Sequence, residues 1–258
     1  MKTNLEIIDK IKNYIYPLIT FISILLIWQF IVVNYNIPQY IMPSPTDIIE
    51  VFFTDAANLQ MHALVTLKES VLGFIFSILL ALIIGTLMDF IPFIKKCFYP
   101  LMLVSQMIPT ITIAPLLIIW FGFDSLPKII MVMTTCFFPI LINFVDGMEN
   151  IDKDYINLFK TMDANKLNTF IHLKLPMSLE SLFTGLKISA TYAFVAATVA
   201  EWLGGSIGLG VYMVRAKSAY ALDKVFASTI LVIIFSLIFV MIINILKKMT
   251  LKHKYKGE

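Results

Sequence analysis

Long apolar runs alternate with short charged segments along the whole chain, and the length of each run indicates the fold. A helix needs about 20 apolar residues to cross a hydrocarbon core about 30 Å thick, and a charge at its centre costs about 2.5–3.5 kcal/mol. Charge-free runs of that length therefore mark membrane spans. The pattern predicts six of them, at about residues 16–33, 70–88, 98–121, 129–145, 182–200 and 226–246.

The runs favour helices over strands, because open sheet edges cannot face lipid and the alternating pattern of a barrel strand is missing. The fifth run carries Lys187 near its start, where a long side chain is expected to extend to the head groups. The first run is longer than a signal-peptide core of about 7–15 residues, so we expect a retained anchor. The predicted fold class is all-α, a polytopic membrane protein with one transmembrane domain over residues 1–258.

Lysines mark the side of the membrane on which each connecting segment lies. They cluster before the first run and after the second, fourth and sixth, and the positive-inside rule assigns these segments to the cytoplasm. Both termini are then cytoplasmic. Arg215, Lys217 and Lys224 oppose this assignment, because they lie in a segment expected outside. The lysines expected in the cytoplasm are Lys2, Lys10, Lys12, Lys95, Lys96, Lys153, Lys160, Lys166, Lys174, Lys247, Lys248, Lys252, Lys254 and Lys256.

Composition supports a membrane protein. The chain is 59% hydrophobic and 14% charged, against about 45–50% and about 25% in soluble domains. A mean hydropathy of +0.86, spread along the whole chain, excludes a soluble domain with a single membrane anchor. Cys97 and Cys136 lack CxxC spacing, so neither a disulfide framework nor a zinc site is indicated. The net charge of +3 comes from lysines that mark the predicted cytoplasmic segments, and it does not indicate a nucleic-acid-binding surface.

The third run contains two prolines, Pro109 and Pro115, each of which removes a backbone donor and clashes one turn back. We therefore expect this helix to be kinked or broken. Freed carbonyls at membrane depth persist where protein or a water-filled cavity satisfies them, so the kink fits either a translocation pathway or a packing bend. Gln106 and Thr110 are pathway candidates with the two prolines, although polar side chains also bond neighbouring helices.

A glycine-rich segment follows the fifth run. Four glycines within residues 204–210 predict irregular backbone, and without a preceding strand or a Gly-Lys-Ser/Thr sequence they do not predict a phosphate-binding loop. Glu201 is a candidate for a substrate or gating contact, although solvation at the interface is the favoured interpretation. Trp202, the last pathway candidate, fits an interfacial aromatic belt.

The segment from Asp146 to Glu180 is too polar to cross the membrane, yet apolar residues recur in it at helical spacing. This predicts short amphipathic helices, joined near residues 163–165 and ended by Pro176. Such helices either lie on the membrane or dock into a cytosolic partner. The apolar residues are Ile156, Phe159, Met162, Leu167, Phe170 and Ile171.

Four segments resemble the permease subunits of bacterial ATP-binding-cassette importers, in the family that serves nitrate, sulfonate, taurine, thiamine-precursor and riboflavin uptake. The resemblance covers nearly the whole chain and implies a type I importer permease. The segments are Met42-Pro-Ser-Pro45, Ile108-Pro-Thr-Ile-Thr-Ile-Ala-Pro-Leu-Leu-Ile-Ile-Trp-Phe-Gly122, Phe138-Pro-Ile-Leu-Ile-Asn143 and Ala200-Glu-Trp-Leu-Gly-Gly-Ser-Ile-Gly-Leu-Gly210.

The polar insertion, at about residues 150–177, resembles the family's coupling loop, which contacts the ATPase. Leu173, Leu175 and Pro176 match the Ile-x-Leu-Pro end of its pattern. The amino half departs: residues 157–159 replace Glu-Ala-Ala, and Asp163 replaces a glycine that permits a tight turn. Asp tolerates left-handed conformations better than most residues, which softens that conflict. The residues implied for coupling are Tyr155, Phe159, Asp163, Ala164, Phe170, Leu173, Leu175 and Pro176.

The resemblance implies a non-enzymatic transport subunit in the bacterial cell (inner) membrane, with two permeases, two ATPases and an extracytoplasmic binding protein. A permease homodimer surrounded by lipid is expected, with no nucleic acid. No cofactor is expected on this chain, and ATP and magnesium belong to the ATPase.

The residues from 200 to 227 look most like the branch for hydroxymethylpyrimidine, a thiamine precursor. Sulfonate, taurine, nitrate and riboflavin stay as alternatives, and the cations at 215, 217 and 224 would suit an acidic ligand or binding protein.

Two other functional classes fit the sequence less well than an importer permease. An ion-coupled secondary transporter usually places ionisable residues near mid-membrane, and the six runs are nearly free of them. An intramembrane enzyme needs a catalytic constellation, and His62, His172 and His253 are scattered, without HExxH or GxSxG motifs.

Overall fold

The computed structural model describes residues 2–251, with side chains from residue 15 onward, and all regular elements in this part are helices. This confirms the all-α prediction. Six of the lysines expected in the cytoplasm, Lys2, Lys10, Lys12, Lys252, Lys254 and Lys256, lie outside the described side chains. The elements are α1 (Lys2–Asn34), α2 (Pro45–Thr54), α3 (Ala56–Phe90), α4 (Pro92–Ser105), α5 (Thr110–Phe121), α6 (Ser125–Glu149), α7 (Lys153–Thr161), α8 (Lys166–Thr169), a π-helical turn (Phe170–Lys174), α9 (Leu175–Gly204), α10 (Leu209–Ser218) and α11 (Leu222–Thr250).

Five helical segments are long and apolar enough to cross a membrane, namely those containing α1, α3, α6, α9 and α11. The pair α4 and α5 passes the same test, with a bend of 102° between its helices. Counting this pair as one broken span gives six, and each predicted run falls within one of the six.

The break in the third span lies at Pro109, as the sequence predicts. Helix α4 ends at Ser105 and α5 begins at Thr110, with Pro109 in extended conformation before it. The Thr112 hydroxyl donates to the Pro109 carbonyl at 2.7 Å, which satisfies one acceptor at the break. Helix α5 continues through Pro115, so only one of the two prolines interrupts the chain.

The chain forms two compact units, and the first comprises residues 1–59 and 212–229. Ser44 caps α2 through a reciprocal capping box with Asp47. Asp55, at the end of α2, accepts hydrogen bonds from the Tyr212 hydroxyl at 2.9 Å and from Lys224 Nζ at 2.7 Å. Burial raises the pKa of Asp55, but the hydrogen bonds from Lys224 and Tyr212 outweigh it, so its pKa lies below the ordinary value.

The second unit comprises residues 60–211 and 230–258, and its core lies between α5, α6 and α9. A Cβ at Gly185 would lie 2.6 Å from the Pro139 carbonyl, so glycine allows α9 to approach α6 closely. Phe194 stacks edge-on against Phe239 at a centroid distance of 5.5 Å. Fully buried side chains at the centre include Ile140, Leu141, Phe144 and Phe194.

The insertion between α6 and α9 is helical, and one prediction about it is wrong. Asp163 turns the chain between α7 and α8 at a left-handed φ of 53°. Pro176 does not end a helix: it lies in the first turn of α9, where a missing N–H is tolerated. The π-helical turn joins α8 directly to α9, and the Leu175 N–H donates to the Phe170 carbonyl five residues back.

Candidate functional site

Glu201, in the last turn of α9, is buried rather than solvated. Only 1% of its surface is exposed. The Thr66 hydroxyl donates to Oε1 at 2.7 Å, and the Gly210 N–H donates to Oε2 at 2.6 Å. The favoured interpretation of Glu201 as an interfacial, solvated carboxylate is wrong, because the glycine-rich segment folds back over it.

The glycines after α9 are required by this arrangement. Gly208 has a φ of +142°, and a Cβ there would lie 2.2 Å from Cδ of Glu201. Nδ1 of His62 lies 2.9 Å from the Gly208 nitrogen and 2.7 Å from the Gly208 carbonyl oxygen, and the Leu209 N–H donates to the Thr66 hydroxyl at 2.8 Å. The predicted irregular backbone is therefore confirmed, and it supplies donors to Thr66 of α3 and to the carboxylate.

A buried ion pair lies in the same unit. Lys128 Nζ is 3.2 Å from Oε1 of Glu69, and the two residues are 4% and 0% exposed. Glu201 interacts electrostatically with both. We name Glu69, Lys128 and Glu201 the charged cluster; His62 and Thr66 border it. The six predicted runs are nearly free of ionisable groups, but these three charges lie one residue outside the runs and still within helices α3, α6 and α9.

The polar residues at the break in the third span line a cavity of about 370 Å³. Gln106 and Thr110 lie on its wall, as do Thr134 and Thr135 of α6 and Tyr192 of α9. Phe138, Pro139, Ile108, Ile113 and Ser105 complete the lining. We name this space the polar cavity; no charged residue is among its lining residues.

The six pathway candidates do not form one site. Gln106 and Thr110 meet at the polar cavity, Pro109 lies at the break between them, and Pro115 is within α5. Glu201 belongs to the charged cluster instead. Trp202 is about half exposed.

Hydrogen bonds within the helices determine what the cavity wall offers a ligand. The hydroxyls of Ser105, Thr134 and Thr135 donate to carbonyls of their own helices at 2.7, 2.8 and 2.8 Å. Their protons are therefore committed, and their oxygens present lone pairs as acceptors. Gln106 adds both a carbonyl acceptor and an amide donor.

The insertion separates outward-facing from inward-facing apolar side chains. Leu158, Met162 and Leu167 are 53%, 70% and 54% exposed, and we name them the apolar face of the insertion. Phe170 and Leu173 are buried, and Phe170 lies 5.3 Å from the ring centroid of Phe90. Lys174 pairs with Asp89 at 2.5 Å. These inward contacts fix the insertion to the second unit.

The eight residues implied for coupling divide accordingly. Phe170 and Leu173 support the insertion from within, whereas the other six are at least partly exposed. Exposed are Tyr155, Asp163 and Pro176, and partly buried are Phe159, Ala164 and Leu175.

The amino-acid sequence is similar to those of known membrane transport proteins. The family model described as "Binding-protein-dependent transport system inner membrane component" matches residues 73–252. A probable ABC transporter permease protein of Haemophilus influenzae is 35% identical, over 86% of this chain and 90% of that protein. The formylaminopyrimidine transport permease protein ThiX of Halalkalibacterium halodurans is 33% identical, over 82% of this chain and 84% of that protein.

The fold is also similar to a solved structure. A chain of the MetNI methionine ABC transporter, in an inward-facing conformation, matches with a TM-score of 0.65 at 15% identity. The match covers 76% of this chain and 97% of that one, so the two chains share their helical arrangement.

Proposed function

This chain belongs to the family of binding-protein-dependent transport system inner membrane components, and we propose that it imports an amino-substituted pyrimidine or a similar heterocycle through a pathway lined by the polar cavity. Family membership makes it a multi-pass ABC importer permease, a transport subunit rather than an enzyme. The substrate, the ATPase contact, the homodimer and the orientation in a bacterial cell membrane belong to the proposal.

The orientation follows from the lysines. The insertion carries Lys153, Lys160, Lys166 and Lys174, and the positive-inside rule assigns it to the cytoplasm. Both termini are then cytoplasmic as well, and the charged cluster lies toward the opposite side.

The apolar face of the insertion is the proposed contact with a cytosolic ATPase, which binds ATP and magnesium. Three large apolar side chains, Leu158, Met162 and Leu167, are more than half exposed on short helices that the inward contacts of Phe170 and Leu173 hold in place. An apolar helix face of this kind fits a groove on a partner protein. ATP-driven closure of the ATPase pair would then bias the permease between inward-open and outward-open states, if the ATPase binds the two states differently.

The polar cavity is the proposed part of the translocation pathway on this chain. It lies at the helix break, where freed backbone groups at membrane depth need a protein or water partner. Its volume of about 370 Å³ suits a small organic molecule. A second copy of the chain would supply the other half of the pathway.

The observation that carries the substrate class is the set of acceptor oxygens on the cavity wall. Ser105, Thr134 and Thr135 offer lone pairs, because their protons are bonded to the helix backbone. A heterocycle with amino groups supplies matching donors, and Phe138 and Tyr192 offer aromatic faces. Sulfonate and nitrate carry only acceptors and a negative charge, so this wall suits them poorly. The formylaminopyrimidine permease among the relatives supports the same class.

The assembly and the substrate are tested together by purification from the native membrane in mild detergent. We expect a cytosolic ATPase and an extracytoplasmic binding protein to co-purify, with an aminopyrimidine bound to the latter. A chain that purifies alone and remains active in liposomes would contradict the importer. A binding protein that carries a sulfonate would contradict the substrate class only.

The cavity wall is tested by Thr135→Val, which removes one acceptor while keeping the side-chain shape. Thr229→Val is the matched control, because Thr229 also bonds its hydroxyl to its own helix and is exposed on α11. We expect aminopyrimidine uptake to fall several-fold in the first variant, by the about 0.5–1.5 kcal/mol of one hydrogen bond, and to stay unchanged in the second. Equal uptake by both would contradict the role of the cavity.

A further inference from the structure

Another cavity, of about 290 Å³, lies between the insertion and the junction of α3 with α4. Phe90 and Pro92 line it from the junction, and Lys160, Lys166 and Lys174 line it from the insertion. Its volume is about ten times the share of one water molecule in the liquid, which is about 30 Å³. A molecular group much larger than water therefore fits. We name this space the basic cavity.

The lining of the basic cavity carries more positive than negative charge. Its charged residues are three lysines and Asp89. Lys174 Nζ lies 2.5 Å from Oδ1 of Asp89, so these two charges compensate each other. Lys160 and Lys166 are exposed and form no ion pair with any side chain described between residues 15 and 251. In the described part of the chain, two positive charges at the cavity are thus left for a ligand.

The hydrogen-bond donors of the lining suit a phosphate group. The Thr169 hydroxyl, which also lines the cavity, donates to the Asn165 carbonyl at 3.0 Å, so its proton is committed. The donors among the lining side chains are therefore the lysine ammonium groups, each with three N–H donors and no acceptor. Hydrogen bonds from an ammonium to a phosphate oxygen are roughly twice as strong as those between neutral groups. A phosphate, with several acceptor oxygens and negative charge, matches this lining.

The position of the cavity indicates that a lipid carries the phosphate. Helix α3 ends at Phe90 and α4 begins at Pro92, and both helices belong to membrane spans, so the junction lies where two spans end. Ile91 and Phe93 in the same junction are 43% and 74% exposed. A phospholipid offers acyl chains to such apolar side chains, whereas a free phosphate does not. Basic pockets between membrane helices on the cytoplasmic side bind anionic head groups.

We propose that the basic cavity binds the phosphate group of an anionic phospholipid, with Lys160 and Lys166 as the donors to its head group. The acyl chains lie against the exposed apolar side chains of the α3–α4 junction. Bound lipid holds the insertion at the membrane surface, because the two lysines belong to the insertion and the acyl chains to the bilayer. This inference rests on the proposed cytoplasmic position of the insertion, and on neither the substrate nor the ATPase contact.

Native mass spectrometry of the full chain tests the proposal, after purification in detergent with equal amounts of phosphatidylglycerol and zwitterionic phosphatidylcholine. We expect the wild type to retain phosphatidylglycerol preferentially, and Lys160→Gln/Lys166→Gln to retain at least about tenfold less of it. Lys96→Gln/Lys153→Gln is the matched control, because it removes two exposed lysines on the same predicted side of the membrane but outside the lining. It should change nothing, since salt at about 0.15 M largely screens exposed charges beyond about 8 Å.

Asp89→Asn should act in the opposite direction. It frees Lys174 as a third donor, so retention of phosphatidylglycerol should rise several-fold. Unchanged or reduced retention at a preserved melting temperature would contradict the charge balance of the cavity. If this variant is destabilised, the double lysine variant alone decides, because both of its positions are exposed.

Three other outcomes would overturn the proposal. The first is equal retention by the wild type and the double lysine variant, or an equal loss in the control pair. The second is displacement of phosphatidylglycerol by millimolar inorganic phosphate, which would assign the cavity to a soluble anion. The third is loss of ATPase co-purification in the double lysine variant with lipid retention unchanged, which would assign the two lysines to a protein partner. Failure of aminopyrimidine import would alter none of these readouts.

Discussion

The two ends of α9 differ in the side chains they expose and bury: apolar side chains are exposed near one end, and charged side chains are buried at the other. Before Leu175, the apolar face of the insertion is exposed, with Met162 at 70%. At the other end, Glu201 is 1% exposed and belongs to a buried set of charges. Large exposed apolar side chains on a polar segment indicate a partner, whereas buried charges require partners within the chain. The first end is the proposed surface for another protein, whereas at the second end Glu201 is hydrogen-bonded within the chain.

This difference tells how substitutions should act. At the cluster end a small change alters folding, because Glu201 is buried and both of its carboxylate oxygens accept hydrogen bonds from within the chain. At the insertion end folding and partner binding are separable, because Phe170 faces inward while Leu158 faces outward. Four predictions test this difference, in order from the largest expected effect to the smallest.

The strongest effect is expected for Gly208→Ala. The added Cβ would lie 2.2 Å from Cδ of Glu201 at a φ of +142°. Backbone strain of about 1–3 kcal/mol and loss of a charge-assisted hydrogen bond of about 1.5–3 kcal/mol give a destabilisation that reaches about 6 kcal/mol. Thermal unfolding in detergent measures it. Gly122→Ala is the control, because Gly122 also has a positive φ but nothing within 4 Å of its Cβ position; equal destabilisation would show that Glu201 plays no part.

The second prediction concerns the inward side of the insertion. Phe170→Ala removes a buried ring that stacks on Phe90, at a cost of about 3–5 kcal/mol. Leu158→Ala, in the same insertion but exposed, should stay within about 0.5 kcal/mol of wild type. The melting temperatures of the two variants are compared with that of the wild type. A larger decrease for Leu158→Ala than for Phe170→Ala would mean that Leu158, and not Phe170, is the inward-facing side chain.

The third prediction separates folding from partner binding. Leu158→Asp should leave the melting temperature unchanged but weaken ATPase co-purification at least about tenfold, which corresponds to about 1.4 kcal/mol. Asn157→Asp, at the adjacent exposed position, adds the same charge without removing an apolar side chain. If both variants lose the ATPase equally, charge and not the apolar face governs the contact.

The weakest effect belongs to the ion pair of Asp55 and Lys224, which is partly exposed, in contrast to the pair of Glu69 and Lys128. Lys224→Met should cost under about 1 kcal/mol at neutral pH. Because the folded pKa of Asp55 lies below its ordinary value of 3.8, the pair stabilises the fold above pH 3.8, and this contribution disappears as the pH falls through the folded pKa. The gap in melting temperature between wild type and variant should close over that range; a constant gap would contradict the pairing.

The sequence predicted the helices well because membrane thickness imposes their length and composition. It also predicted the break at Pro109 and the irregular backbone at residues 204–210, since proline and glycine have direct backbone consequences. Pro176 was misjudged, because the same proline that ends one helix is tolerated in the first turn of another. Burial of Phe170 was not predictable from spacing, which does not distinguish an inward from an outward apolar face.

The apolar pattern of the sequence does not predict the charged cluster. Glu69, Lys128 and Glu201 each lie one residue beyond an apolar run and mark only its boundary. A signal was nevertheless present. The predicted topology places the start of the second run, the start of the fourth and the end of the fifth on the same side of the membrane. Three charges at one depth on neighbouring helices are expected to pair, and the glycines beside Glu201 provide the room for backbone donors to reach it.

We propose that ATP hydrolysis by a separate subunit, acting through the apolar face of the insertion, drives import through this chain. Uptake of a labelled aminopyrimidine into proteoliposomes that contain the chain, its ATPase and its binding protein tests this claim most directly. We predict uptake that requires ATP, needs no ion gradient and is lost in Leu158→Asp but not in Asn157→Asp. Uptake driven by an ion gradient without ATP, or undiminished in Leu158→Asp, would contradict it.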